Sequence, residues 1–239
     1  MALALAPRSW FGCRTQPEKT KRFNPEAKLD MRVLIVDDHA VLRDGLKNIL
    51  DEPRGTAVCH EASTAQEACA LVERQDWDLV VLDISLGEMS GLDVLKHIKH
   101  VRPKLPVLIF TMHPERQYAR RSFKSGAAGY VTKDSSPTEL RQAIRRIVAG
   151  GRYVSSSLAE TLVADLEAGE LRQPHESLSD REFEVMRLIA SGKTVGEIAA
   201  LLSLSDRTIS TYRARILEKM GMRTNAELTH YAVQSKLTV

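Results

Sequence analysis

The sequence has little of what marks secreted or membrane-spanning chains. It has three cysteines in 239 residues (Cys13, Cys59 and Cys69), an odd number with no CxxC pair, and its aromatic content is only 5%. This cysteine usage favours reduced structural thiols over a disulfide framework. No apolar run approaches the length of a membrane helix, and MALALAPRSW lacks the basic stretch that precedes the apolar part of a secretory signal. The sequence therefore predicts a cytoplasmic protein with no membrane partner.

The excess of positive over negative charge is also small. The first 30 residues hold six Lys or Arg and three Asp or Glu, which accounts for the whole net charge of +3. The overall charge thus gives no argument for a nucleic-acid partner, and local patches must supply one. Residues 1–30 show no sustained hydrophobic period, which predicts a disordered arm. Two alternatives stay open: a start codon placed too early, or a basic arm that touches DNA.

From residue 31 to residue 150, strand-like and helix-like segments alternate. Unbroken apolar runs such as Leu79–Leu82 are typical of strands buried on both faces of a parallel sheet. Five strand–helix units in succession predict an α/β domain, a five-stranded, doubly wound parallel sheet of the flavodoxin-like type. The predicted strands are 33–36, 56–62, 79–82, 106–110 and 130–131, and the helices are 40–50, 64–73, 91–100, a segment ending at 123, and 137–148.

Gly150-Gly151 ends this alternation. Residues 151–178 contain a serine run and Pro174 and are predicted to be a linker, with a short helix around 158–166. Residues 179–239 show helical periods only, so a small all-α domain is expected there. Ser179 and Glu182 have the spacing of a capping box, and further helices are predicted at 194–202, 205–220 and 225–235.

Polar side chains follow four of the predicted strands at their carboxyl ends, where ligands bind in open α/β sheets. Asp37 and Asp38 follow the first strand, and Asp83 the third; Thr111 and Lys133 follow the fourth and fifth. Alone, an aspartate such as Asp83 could simply terminate a strand. Three converging carboxylates need a cation, and hard oxygen ligands favour Mg²⁺. A hydroxyl and an ammonium at the same place suit the oxygens of a phosphoryl group.

The motifs DDH, LVVLDISL, FTM and YVTKD stand in residues 31–150 in the order found in receiver domains of bacterial two-component response regulators, which this segment resembles. The resemblance implies that Asp83 accepts a phosphoryl group from a histidine kinase. It also implies that Mg²⁺ is held by Asp37, Asp38, Asp83 and the backbone carbonyl of Ser85. Thr111 and Lys133 are then expected to contact the phosphoryl oxygens, and Tyr130 to swing inward as Thr111 moves. One departure is Gly87-Glu88, where the family commonly has proline and a small residue.

In the helical domain, the short Ser203-Leu204 connection between two predicted helices suits a helix-turn-helix, whose second helix enters the major groove. Helical spacing places Ile209, Tyr212 and Ile216 on a core face with Leu217 and Met220. Arg213 falls near that side, where an internal ion pair is expected. The opposite face carries Arg207, Ser210, Thr211, Ala214, Arg215 and Glu218. Periodicity alone leaves an ordinary solvated helix face as the alternative.

The segment from LSDREFEVMRL to RTNAEL closely resembles the LuxR-type helix-turn-helix of the NarL/FixJ family. The resemblance makes Tyr212 a replacement for the family's usual histidine and implies that helix 225–235 pairs in a DNA-bound homodimer. Together with Arg207 from the exposed face, the candidate DNA contacts are Lys193, Thr208, Ser210, Thr211, Ala214 and Arg215.

The sequence thus predicts a transcription factor, not an enzyme, controlled by phosphorylation of Asp83. Two rivals stay open. A phosphohydrolase could use Asp83 as its nucleophile, although only Glu88 offers a second carboxylate at close spacing. Alternatively, the chain could bind DNA regardless of phosphorylation, with the receiver serving only for dimerisation.

Overall fold

The computed structural model of the protein describes residues 31–51, 57–87, 89–160 and 173–238. The predicted arm at 1–30, Glu88 and most of the predicted helix at 158–166 lie outside these ranges. Residues 156–160 are helical, and the chain is next described from Gln173. Among the described residues, no helix is both long and apolar enough to cross a membrane.

Five strands form one parallel sheet, in which the first strand along the chain lies between the second and the third, and the last two strands of the sheet follow the third in chain order. This order confirms the predicted α/β fold, including its doubly wound topology. The strands are β1 (Met31–Val36), β2 (Ala57–Ala62), β3 (Leu79–Leu82), β6 (Val107–Thr111) and β7 (Gly129–Thr132). The helices between and after them are α1 (Ala40–Asp51), α2 (Ala65–Arg74), α3 (Gly91–Val101), α4 (Glu115–Lys124) and α5 (Pro137–Val148).

Side chains of the sheet alternate between two apolar cores because successive strand residues point to opposite faces. Val33 and Ile35 of β1 pack with α1 and α5 on one face. Leu34 and Val36 pack with α2, α3 and α4 on the other. All five β6 residues are buried, as expected of a central strand in a sheet covered on both sides.

The loop after β3 contains a feature that the sequence analysis did not predict, a two-stranded hairpin of β4 (Ser85–Leu86) and β5 (Met89–Ser90). Gly87 turns this hairpin at φ 65°, a backbone region in which glycine is favoured. The hairpin leads directly into α3, whose first residue, Gly91, donates a 2.7 Å hydrogen bond to the Ile84 carbonyl. A Cβ on Gly91 would collide with the backbone of Asp83, so only glycine fits this close approach.

The start of the predicted linker belongs to the receiver domain. Tyr153 is buried, its backbone bridges to Gly129 of β7, and its hydroxyl donates to Glu139 at 3.0 Å. The helical domain likewise begins before residue 179, with a 3₁₀ turn at Pro174–Ser177 and a buried Leu178. Both positions lie beyond the strand and helix periods on which the predicted boundaries depended.

The C-terminal domain consists of α6 (Asp180–Ala190), α7 (Val195–Leu202), α8 (Asp206–Met220) and α9 (Asn225–Gln234). The Ser179–Glu182 capping box is present, and a second box joins Thr194 to Glu197 at the start of α7. Ser203, in the left-handed conformation at φ 52°, ends α7 and makes the short turn into α8. Ile209, Ile216 and Met220 are buried, so the predicted core face of α8 is confirmed.

Candidate acidic pocket and nucleic-acid interface

The carboxyl edge of the sheet is a small acidic pocket. The parallel ladder continues one residue past the strands, since Asp37 N–H donates to Ala62 and Asp83 N–H donates to Val36. This pairing fixes the two aspartates side by side at the end of β1 and β3. Asp37, Asp83 and Thr111 are all less than 5% exposed, and the Lys133 side chain is 2% exposed. The structure therefore brings together the polar residues predicted to meet there.

Lys133 bridges two of these carboxylates. Its Nζ lies 2.6 Å from Asp83 Oδ2 and 2.7 Å from Asp37 Oδ2. Burial acts to lower the pKa of Lys133, but the Asp83 and Asp37 carboxylates outweigh it and the net pKa is raised. Burial also raises the pKa of Asp83, against the opposing effect of Lys133 and the Thr111 hydroxyl. Lys133 is thus a charged ammonium that offsets the repulsion within the pocket.

Four side chains at this edge have the spacing of a metal site. Ligand atoms of Asp37, Asp38, His39 and Asp83 all lie within 4.8 Å of one another. Asp37 Oδ2 is buried and receives no well-directed hydrogen bond from the described residues, although the Lys133 ammonium lies beside it. A buried carboxylate oxygen with spare capacity and a mostly oxygen donor set fit a hard divalent cation. The His39 side chain is 64% exposed and lies beside Asp38.

A hydrogen-bonded cluster adjoins the pocket on the side of β6. Tyr130 is fully buried, and its hydroxyl donates to the His113 carbonyl at 2.9 Å. The His113 ring lies 3.0 Å from the Ser85 hydroxyl. Burial lowers the pKa of His113 to about 4, and Arg187 and Lys133 act in the same direction. The Tyr130 side chain therefore already points inward, into the protein interior. His113 is a neutral residue in contact with the pocket, and the sequence analysis missed it although it stands two residues after Thr111.

The turn between α7 and α8 presents the outer face of α8 to solvent. Its shape follows from local signals: Ser205 caps α8 by accepting from Thr208 N–H, and Leu204 N–H closes back onto Ala199. The Thr211 hydroxyl donates to the Arg207 carbonyl at 2.9 Å. Among the predicted DNA contacts, Thr208 is half-buried and the others are exposed: Lys193, Arg207, Ser210, Thr211, Ala214 and Arg215.

Two basic residues at the margin of α8 have intramolecular partners. Lys219 donates to Glu182 at 2.6 Å. Arg213 donates to the amide oxygen of Asn225, also at 2.6 Å, so the expected internal ion pair is instead a hydrogen bond to a neutral side chain. This corrects the prediction for Arg213: helical spacing indicated its side of α8 but not its partner across the bundle. Neither residue points its charge at the open face.

The first helix of the C-terminal domain buries an unusual amount of charge. Its charged residues are all less than 9% exposed: Asp180, Arg181, Glu182, Glu184 and Arg187. Charged side chains are rarely buried to this extent without partners. Most of these residues find partners in the receiver domain or across the bundle, so the two domains are in contact in this structure.

The contact is made by α3, α4 and the β4–β5 hairpin of the receiver. Arg121 donates to the carbonyls of Leu178 and His175 and stacks over the Phe183 ring at 4.1 Å. Lys96 lies 2.6 Å from Asp180, and Arg181 donates to the Gly87 carbonyl. This docking surface uses α6 and the 3₁₀ turn, and it leaves the outer face of α8 uncovered.

Comparison with known proteins agrees with both halves of this description. The family model "Response regulator receiver domain" matches residues 33–145, and "Bacterial regulatory proteins, luxR family" matches residues 176–232. Response regulator UvrY of Escherichia coli K12 is 33% identical over 208 residues, which are 87% of this chain and 95% of that protein. The chain is a response regulator of the NarL/FixJ family.

Other relatives extend the similarity of this response regulator. Response regulator GacA of Pseudomonas aeruginosa is 33% identical over 85% of this chain and 96% of its own. A solved LuxR-family two-component response regulator from Aurantimonas sp. SI85-9A1 is 39% identical, with TM-score 0.52 over 56% of this chain and 96% of its own. RcsB of Salmonella enterica serovar Typhimurium, solved on promoter P1flhDC with the phosphomimetic BeF3−, is 27% identical, with TM-score 0.54 over 84% of this chain and 97% of its own.

Proposed function

We propose that Asp83 of this response regulator accepts a phosphoryl group from a sensor histidine kinase, and that this modification controls transcription. The observation that carries the proposal is the convergence of Asp83, Lys133 and Thr111 in one buried pocket at the carboxyl edge of the sheet. A buried carboxylate beside an ammonium and a hydroxyl suits a covalent phosphoryl acceptor.

In the proposed transfer, an Asp83 carboxylate oxygen attacks phosphorus. A P–O bond forms while the P–N bond to the kinase histidine breaks, and the electron pair stays on the imidazole nitrogen. Lys133 and Thr111 would hold the phosphoryl oxygens. Asp37, Asp38, Asp83 and the Ser85 carbonyl would hold Mg²⁺, which when bound offsets negative charge between carboxylate and phosphoryl oxygens. The spare capacity of Asp37 Oδ2 supports this ligand set.

For the C-terminal domain, we propose that α8 reads the major groove of double-stranded DNA as part of a homodimer. The exposed small and hydroxyl residues of α8 allow close approach to base edges, while Arg207, Arg215 and Lys193 supply positive charge for phosphates or guanine. RcsB structures with DNA and with two dimers on two DNAs support the same use of this domain. The predicted pairing of α9 in that dimer remains part of the proposal.

The test of the phosphoryl acceptor is incubation with acetyl phosphate and Mg²⁺, with mass spectrometry of the intact chain. The wild type is expected to gain one phosphoryl group, and Asp83→Asn none. Asp134→Asn is a matched control, because Asp134 is an exposed aspartate next to Lys133 at the same edge. A gain of one phosphoryl group by the Asp83→Asn chain would refute the assignment, and continuous hydrolysis of a phosphomonoester would favour the phosphohydrolase alternative.

A second candidate, DNA binding without any need for phosphorylation, has one observation in its favour: the outer face of α8 is open while the domains are docked. Operator affinity measured with and without beryllofluoride and Mg²⁺ separates the two functions. Equal affinities would support the phosphorylation-independent function, and tighter binding with beryllofluoride supports control by Asp83.

A further inference from the structure

His113 lies between the phosphorylation pocket and the C-terminal domain. On the pocket side, its ring is 3.0 Å from the hydroxyl of Ser85, which follows Asp83 by two residues. Its backbone N–H lies 3.4 Å from the Thr111 hydroxyl, and its carbonyl accepts from Tyr130. The position of His113 thus depends on the two pocket loops, after β3 and after β6.

On its other side, His113 packs against the docking surface. Its ring centroid lies 4.3 Å from that of Tyr118, which is 1% exposed. Tyr118 in turn makes an edge contact with Phe183 of α6 at 5.4 Å, and the Arg187 guanidinium lies 5.2 Å from the Tyr118 ring. The described residues therefore form an unbroken line of contacts: Ser85, His113, Tyr118, then Phe183 and Arg187.

We propose that His113 is a positioning residue that couples the state of Asp83 to the docking of α6, with its bond to Ser85 as the sensor and its packing on Tyr118 as the transmitter. The inference rests on the proposed phosphorylation of Asp83. A phosphoryl group on Asp83 draws Thr111 toward the new oxygens and changes the surroundings of Ser85. Because packed contacts shift between discrete arrangements and do not deform freely, this change reaches Tyr118 and weakens the docking.

The two halves of the proposal predict different results for two substitutions. His113→Phe keeps an aromatic ring on Tyr118 but loses the hydrogen bond to Ser85, so the domains stay docked and no longer respond to the pocket. His113→Ala removes the ring as well, so docking is weakened even at rest. A purely structural role for His113 would change docking and response together in both variants.

Small-angle scattering of the full chain measures docking through the radius of gyration, with and without beryllofluoride and Mg²⁺. Tyr118→Ala provides an undocked reference, and His100→Phe is a matched control because His100 is an exposed histidine in the last turn of α3. We expect the radius of gyration to rise with beryllofluoride in the wild type and in His100→Phe. In His113→Phe the rise is lost, and His113→Ala starts near the undocked value.

Acetyl-phosphate modification, measured on the same samples, separates the possible failures. A His113→Phe chain that expands with beryllofluoride like the wild type would overturn the role of His113. A wild type that is modified at Asp83 without expanding would overturn the coupling but leave phosphorylation intact. Absence of modification at Asp83 in the wild type would overturn the proposed function, and the coupling with it.

Discussion

Two helices of the C-terminal domain differ in the burial of their charged side chains. On α6, five charged side chains are buried, and on α8 the charged residues of the outer face are exposed. Their sequences look alike, since both alternate apolar and charged residues at helical spacing. The charged residues of α6 have partners in the receiver domain and within the bundle, while the outer face of α8 is open to solvent. Burial, not composition, tells the two apart.

The sharpest test of this difference is the ion pair on α6. Arg181 lies 2.6 Å from Glu184, and both side chains are 10% exposed or less. Glu184→Ala leaves a buried guanidinium without its carboxylate, and we expect a loss of about 3 kcal/mol in the free energy of unfolding. On α8, Glu218→Ala removes an exposed charge, and the loss should stay within about 0.5 kcal/mol. Urea denaturation measures both, and similar losses in the two variants would contradict the comparison.

The open face of α8 is tested by its hydroxyl residues. Because Ser210 and Thr211 are exposed, replacing both by alanine should leave the free energy of unfolding nearly unchanged. Discrimination between operator and scrambled DNA should fall by about 1–3 kcal/mol, the range for one good base contact. A gel-shift titration against both DNAs measures it.

Arg215→Ala provides the comparison for that experiment. If Arg215 contacts a phosphate, its loss weakens binding to both DNAs alike and lowers the salt dependence by about one phosphate contact. Unchanged discrimination in the Ser210/Thr211 double variant would remove these residues from base recognition.

A smaller effect is expected from pH at the docking surface. His175 is half-buried against Phe183 and Tyr231, with Arg121, Arg120 and Glu176 nearby, and this partial burial lowers its pKa to about 4. Because the unfolded chain binds the proton near pH 6.5, this histidine's contribution to stability is complete above pH 6.5 and falls as the pH drops toward 4. Allowing for partial exposure, the loss between pH 7 and pH 5 is about 1 kcal/mol.

Thermal denaturation of the wild type and of His175→Asn over this pH range isolates the effect. The asparagine amide can replace the ring nitrogen that meets the Tyr231 hydroxyl at 2.7 Å, but it cannot take up a proton. His113 titrates with the same sign and is common to both chains, so the difference between the two curves belongs to His175. Parallel curves would show that folding does not lower the pKa of His175.

The sequence was sufficient for the fold and the pocket because both follow from short-range patterns and topology. Apolar runs that end in Asp37, Asp83 and Thr111 must meet at one edge once the strands are parallel. The same applies to the core face of α8, which depends only on the helical period. The chemical roles of the pocket residues and of the exposed α8 residues remain predictions, although the structure places these residues at the predicted positions.

The docking surface could not be predicted in this way, because it joins segments 50 or more residues apart through side chains that usually face solvent. In the sequence, Arg121 and Asp180 each look like surface charges. Their low exposure is explained only by the ion pair that they form between the two domains. His113 is a related case, because it lies in the loop after β6 and contacts Ser85 of β4 and Tyr118 of α4. No local period carries that information.

The uncovered outer face of α8 has a consequence for timing. As the proposed DNA-reading helix, α8 needs no prior opening of the domains, so it can meet DNA at a rate set by diffusion and by the positive charge of Arg207 and Arg215. Phosphorylation would then leave the arrival rate almost unchanged and act on how long the protein stays on its operator. The regulator would bind and leave DNA continuously, and phosphorylation would change the dissociation rate from the operator.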